Sequence, residues 1–268
     1  MELNPRDSKI KTHYNMTHKK RGRALIFNNQ HFDDPSLKKR PASNVDCENL
    51  KVALTNLNFK VTVHSNCTFK EIQNILVKVA GKDHSDCDCI WITFITQGKN
   101  DHFFAKDRLF NIEMVWSHFT GDKCPTLAGK PKIFVIQSNR GSKLDHGMLT
   151  QTDGNCISQK RRRLDEIDGN EDYIKYKIPV HSDFLVAYST IIGFESWADS
   201  VKGSWFIQSL CRELKDYGTT YDLLKLLTFV NQKVAIDFES ENSNKYHRKK
   251  QISCFNSMLT RILLFRDK

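Results

Sequence analysis

The chain has 268 residues, 39% of them apolar and 10% aromatic, enough for one sizeable core or two small domains that fold without disulfide staples. No apolar run approaches the ~20 residues of a membrane span, and the opening MELNPRDSKIKTHYNM lacks an export signal's apolar core, so the expected place is the cytoplasm, with no membrane partner. The net charge of +10 raises nucleic acid as a partner, but the basic clusters at 18–23, 37–40, 159–163 and 247–250 are dispersed and not interleaved with stacking aromatics, which argues for solvated charge or an acidic protein instead.

In chain order, RALIFN (23–28) reads as a strand. Val45, Leu50, Ala53, Leu54 and Leu57 then recur at helical spacing behind Asn44, which is placed to cap. FKVTVH (59–64) alternates as a strand does, and Thr68 with Glu71 makes a capping box that opens a helix with Ile72, Ile75, Leu76 and Val79 on one face. CIWITFI (89–95) and KIFVIQ (132–137) are nearly continuous apolar runs, the pattern of strands buried on both faces of a parallel sheet. The pattern stops from about 150 to 177, which reads as a linker, and resumes with DFLVAYST (183–190), a helix from Ser204, a second helix within 221–238 and a last apolar run, SMLTRILLF (257–265). The class is α/β. The second half has too few elements for its own core, so it completes the first half's sheet.

Several ordered motifs resemble a known family. GRALIFNNQHFDD, SNVDCENL, DHSDCDC and GKPKIFVIQSNRG are similar to the large subunit of a caspase, and KIPVHSDFLVAYST, SWADSVKGSWFIQSLCREL, VNQKVAIDFES and KKQISCFNSMLTRILLF to the small one, over residues 14–268. The resemblance implies a caspase-like fold: a central, mostly parallel six-stranded sheet flanked by helices, with the final strand at a dimer edge. It divides the chain into a basic tail (1–20), a large-subunit region (21–150), a linker (151–177) and a small-subunit region (178–268), all in one domain. The short start, without a recruitment prodomain, is similar to the effector branch.

Caspases carry a nucleophilic Cys in Q-A-C-R-G and a His in S-H-G. Here QSNRG puts Asn139 at the first position and ITQGKND puts Gln97 at the second. A carboxamide is neither a thiolate nor a base. Gly98, whose family counterpart donates a backbone N–H to the oxyanion, is retained. Of the residues that recognise a substrate Asp, Arg40 and Gln137 match, whereas Ala198 stands where a second Arg is expected; Trp197 beside it is similar to a groove-lining residue. Other readings stay open: Arg40 as a solvated member of LKKR, and Gln97 and Asn139 as polar groups that merely satisfy backbone. Ser138, one step along the strand, should point to the opposite side, with no His placed to activate it.

In the linker, LDEIDGN offers Asp168 as a cleavage site of the kind caspases use, with Asp153 as a second candidate. His84, Cys87 and Cys89 could ligate zinc but lack a fourth ligand, so no metal or cofactor is expected, and the eight cysteines read as reduced thiols. The run 253–265 reads as a strand buried by pairing, with Met258, Ile262 and Leu264 on one side and Leu259, Leu263 and Phe265 on the other. The resulting expectation is a chain that is not an enzyme: a catalytically inactive caspase homologue that regulates apoptosis-type proteolysis by dimerising with an active caspase, activation placed ahead of inhibition, with a homodimer also open. The alternatives are a caspase-like peptidase with residual or altered activity, and a basic scaffold for acidic partners.

Overall fold

The computed structural model describes residues 11–149, 178–241 and 244–268. The first half runs β1 (Lys20–Asn28), α1 (Ala42–Asn56), β2 (Lys60–Ser65), α2 (Phe69–Ala80) and β3 (Cys87–Ile95), then the short strands β4 (Gly98–Lys99), β5 (His102–Phe104) and β6 (Leu109–Asn111) with the one-turn helix α3 (Glu113–Trp116). It continues through β7 (Lys132–Gln137) and β8 (Gly141–Lys143). The second half adds β9 (Phe184–Tyr188), β10 (Gly193–Phe194), β11 (Ala198–Asp199), β12 (Gly203–Ser204), α4 (Trp205–Tyr217), α5 (Leu223–Ile236) and β13 (Cys254–Ser257).

Six strands form the central sheet in the order β13-β9-β7-β3-β1-β2. All neighbours are parallel except β13, which runs antiparallel to β9 at one edge. The period of two sorts side chains between the faces. Trp91, Ile133, Val135, Leu185 and Ala187 join Leu50 and Leu54 of α1, Phe206 and Leu210 of α4 and Leu226 and Val230 of α5 in one core cluster. Their neighbours Ile92, Phe94, Phe134, Ile136 and Val186 join Ile72 and Leu76 of α2 and Phe103 and Phe110 in the other. Burial on both faces explains why β3 and β7 read as nearly continuous apolar runs.

The capping box is present: Thr68 Oγ1 accepts from Glu71 N–H at 3.3 Å, and Glu71 Oε2 accepts from Thr68 N–H at 2.8 Å. Two expectations need correction. Asn44 does not cap α1, because the helix begins two residues earlier behind Pro41, and Asn44 Oδ1 instead accepts from Asn28 Nδ2 at 2.9 Å. The final strand spans only Cys254–Ser257. Beyond it Leu263 and Phe265 turn into the core, 2% and 1% exposed, and Phe265 packs edge-on against Phe59, so 258–265 is not a two-sided pairing strand.

His84 is buried, its Nε2 2.9 Å from the Val79 carbonyl, and among the described residues no cluster of His, Cys, Asp or Glu could hold a metal. No helix among them is long and apolar enough to cross a membrane. The linker candidates Asp153 and Asp168 lie outside the described residues.

Candidate active site

The two central strands end together. Ile95 of β3 pairs with Gln137 of β7, and Thr96 N–H donates to the Gln137 carbonyl at 3.0 Å, so residues 97 and 139 emerge side by side. Both line a cavity of about 250 Å³ with Arg40, Gln137, Ser196 and Ala198. The cavity therefore brings together Arg40, Gln97, Gln137, Asn139 and Ala198, which lie up to 158 positions apart in the chain.

The four polar side chains among these five are each held by a hydrogen bond. Gln97 Nε2 donates to the Lys38 carbonyl at 3.3 Å. Asn139 Oδ1 accepts from the Ser196 N–H at 3.0 Å and from its hydroxyl at 2.9 Å. Gln137 Nε2 donates to Ser196 Oγ at 3.3 Å. Arg40 donates to the Thr96 carbonyl. Burial pushes the Arg40 guanidinium down to about 10, against the opposing charge of Asp46, so it stays a cation at neutral pH. Asp46 is itself buried and accepts from Ser204 N–H at 2.7 Å and from the Ser204 hydroxyl; burial raises its carboxyl, and those bonds and Arg40 oppose the rise.

Gly98 lies between the two strand ends without lining the cavity. A Cβ at that position would come 2.6 Å from the Asn139 carbonyl oxygen and 2.9 Å from Ser138 Oγ, so the close approach itself requires glycine. Ser138 is fully buried, does not line the cavity, and its backbone is fastened to Ser189 on both sides. Arg140 also points away, over the Tyr188 ring at 4.0 Å and paired with Asp101. Ala198 is exposed in β11. Trp197 stacks on Trp205 at 5.9 Å and Trp205 on Phe238 at 5.3 Å, walling a groove of about 900 Å³ that continues from Ala198.

The seven described cysteines are free, and none lines the cavity. Burial raises every one of these thiols, to about 11 at Cys47 and about 12 at Cys211, so none of them is an activated thiolate. Reading the sequence missed Ser196, which ties Asn139 to Gln137. It lies 57 positions from Asn139, and no local pattern marks it.

A family model described as the caspase domain matches residues 21–264. The chain belongs to the caspase family. It is 49% identical over 95% of its length to Caspase drICE of Drosophila melanogaster, covering 73% of that protein, and 47% identical over 96% to Caspase-1 of Spodoptera frugiperda, covering 82%. The crystal structure of the Spodoptera frugiperda caspase superposes with a TM-score of 0.87 at 45% identity, over 97% of this chain and 98% of that one. These likenesses support the expected α/β caspase fold, and they correct the expectation that the chain is not an enzyme. Sharing nearly half its residues over almost its full length with proteins that bear caspase names points to an enzyme.

Proposed function

We propose that this caspase is a peptidase of residual or altered activity, acting on peptides whose short polar side chain enters the cavity beside Arg40 and Gln137. The observation that carries the reading is that cavity, lined by the half-buried Arg40 and the buried Gln137 beside the ends of β3 and β7. The near full-length likeness to caspases supports a peptide as the ligand.

The alteration lies at Gln97 and Asn139. With carboxamides at both positions the step open to the site is attack by water: its oxygen bonds the carbonyl carbon, the C–N bond breaks, and the leaving amine takes the proton. In proteases stripped of their covalent machinery, binding and charge stabilisation alone keep about 10³–10⁴-fold over water, which sets the scale of the expected activity. The test is hydrolysis of a peptide library by the purified chain after treatment with a thiol alkylator, which silences any contaminating cysteine peptidase. Turnover that survives alkylation and disappears in Arg40→Ala supports the reading; no turnover above the solvent background overturns it.

A second reading concerns pairing. β13 lies at the edge of the sheet, with Met258 and Ile262 40% and 45% exposed beyond it. An edge strand offers unpaired N–H and C=O groups to another chain. We infer that this edge pairs with a second copy or with another caspase, and that regulation of that partner's proteolysis would act through it.

A further inference from the structure

The cavity is lined from separate parts of the chain. Arg40 and Ala42 stand at the entrance of α1, Ala198 in β11 and Ser200 just after it. The Arg40 side is fixed to α1, because the Arg40 carbonyl accepts from the Ser43 N–H at 3.1 Å and from the Ser43 hydroxyl at 2.7 Å. About one turn further along that helix is Asp46, fully buried. Its Oδ1 accepts from the Ser204 N–H at 2.7 Å, and its Oδ2 is hydrogen-bonded to the Ser204 hydroxyl. Ser204 lies in β12, where it is the register partner of Ala198. Among the described residues, these are the hydrogen bonds that join the β11–β12 hairpin to α1.

The hairpin needs such an anchor. β11 and β12 pair over two residues each and form a sheet of their own, and a ladder that short does not hold its place alone. Its Trp197 end is tied elsewhere, the Trp197 N–H donating to Gln251 Oε1 at 2.6 Å and the ring stacking on Trp205. The contact with α1 is close: a Cβ at Gly203, next to Ser204, would come 2.4 Å from Asp46 Oδ1. The backbone of β12 therefore rests on the carboxylate itself. That carboxylate also acts on Arg40 through its charge, so Asp46 bears on both the Ala198 and the Arg40 sides of the cavity.

We propose that Asp46 is a positioning residue for the cleft: through Ser204 it sets how far Ala198 stands from Arg40, and with that the fit of a peptide side chain, a role that rests on the cleft taking peptides. The test is calorimetric titration of a tetrapeptide ending in aspartate amide, at neutral pH and well below each variant's melting temperature. Asp46→Ala is expected to bind it about tenfold more weakly than wild type. Asp46→Asn loses the same charge but keeps both bonds, its Oδ1 accepting from the Ser204 N–H and its Nδ2 donating to the Ser204 hydroxyl oxygen. It should stay within about threefold of wild type. Ser204→Ala, which removes the hydroxyl bond and no charge, should fall between the two, and it carries the test where Asp46→Ala does not fold. An Asp46 that only stabilised the fold would lower the melting temperature on removal and leave the affinity of the folded chain alone. Wild-type affinity in Asp46→Ala, or in Ser204→Ala where only that variant folds, overturns the positioning role. Equal weakening in Asp46→Asn and Asp46→Ala assigns the effect to charge and overturns it too. No binding by the wild-type chain overturns the reading of the cleft as a peptide site, and the role with it, so the two failures are told apart.

Discussion

Arg21 donates to Asp88 at 2.9 Å with both side chains wholly removed from solvent. The same carboxylate accepts from the His18 backbone at 2.9 Å and pairs with Lys268 at 2.8 Å, so it fastens segments from both ends of the chain to β3. Removing one partner of such a pair strands a buried charge. Asp88→Ala is expected to lower the unfolding free energy by about 3–5 kcal/mol in urea titration. A double Arg21→Met, Asp88→Leu variant should recover much of that loss, and a loss below about 1 kcal/mol in the single variant would contradict the burial.

Gln97 and Asn139 invite repair. Asn139→Cys alone supplies a thiol without a base, and Gln97→His alone a base without a nucleophile, so neither should raise peptide cleavage much. The double variant should gain about 10²–10⁴-fold in kcat, the usual contribution of a positioned base. Adding Ala198→Arg should raise kcat/KM for aspartate peptides by a further ~10-fold or more, the worth of one bond to a charged group. A single Asn139→Cys variant as active as the triple would remove position 97 from the chemistry.

Lys132 sits 1% exposed at the start of β7, its Nζ donating to the Leu127 carbonyl at 3.2 Å and the Lys130 carbonyl at 3.0 Å. Burial pushes its ammonium down to about 8, with Asp183 opposing. Between about pH 8 and the ordinary lysine value near about 10.4, the unfolded chain holds the proton and the folded one does not, so stability contributed by this group rises with pH across that window. Lys132→Met should remove the rise. Wild type minus variant should change by up to about 3 kcal/mol in denaturation series over that range, and a difference that falls as pH rises would invert the assignment.

Met258→Asp and Ile262→Asp place charge on exposed side chains that follow β13, the outer strand of the sheet among the described residues, while leaving the core alone. Each is expected to weaken self-association at least ~10-fold in sedimentation equilibrium. Leu263→Asp, by contrast, should unfold the chain, because that side chain is 2% exposed in the core. Association unchanged in both surface variants would exclude this edge as the interface.

The strands and helices were legible wherever burial has a period. β3 and β7 announce themselves because both faces are covered, and Thr68 with Glu71 marks its helix start by a local exchange of hydrogen bonds. Asn44 misled because its side chain bonds to Asn28, and nothing near it in sequence says so. The tail at 258–265 misled for a related reason: apolar residues at alternate positions suit a strand, yet here Phe265 packs against Phe59 and Arg21 lies over its ring at 5.4 Å. In the cavity, Gln137 and Asn139 could be placed from the strand they end. Ser196, which orients both amides, could not, because its role exists only in three dimensions.

β9 is inserted between β7 and β13, so a strand from the second half is zipped along a strand from the first. Tyr14, near the start of the chain, donates its hydroxyl to Asp183 at 2.6 Å, and Lys268, the last residue, reaches Asp88. Peptide continuity between residues 149 and 178 is therefore not what joins the halves. Two polypeptides made separately, one ending and one beginning in that interval, carry complementary edges of a single sheet. Their union would obey mass action, with a stability that depends on protein concentration, where the intact chain's does not.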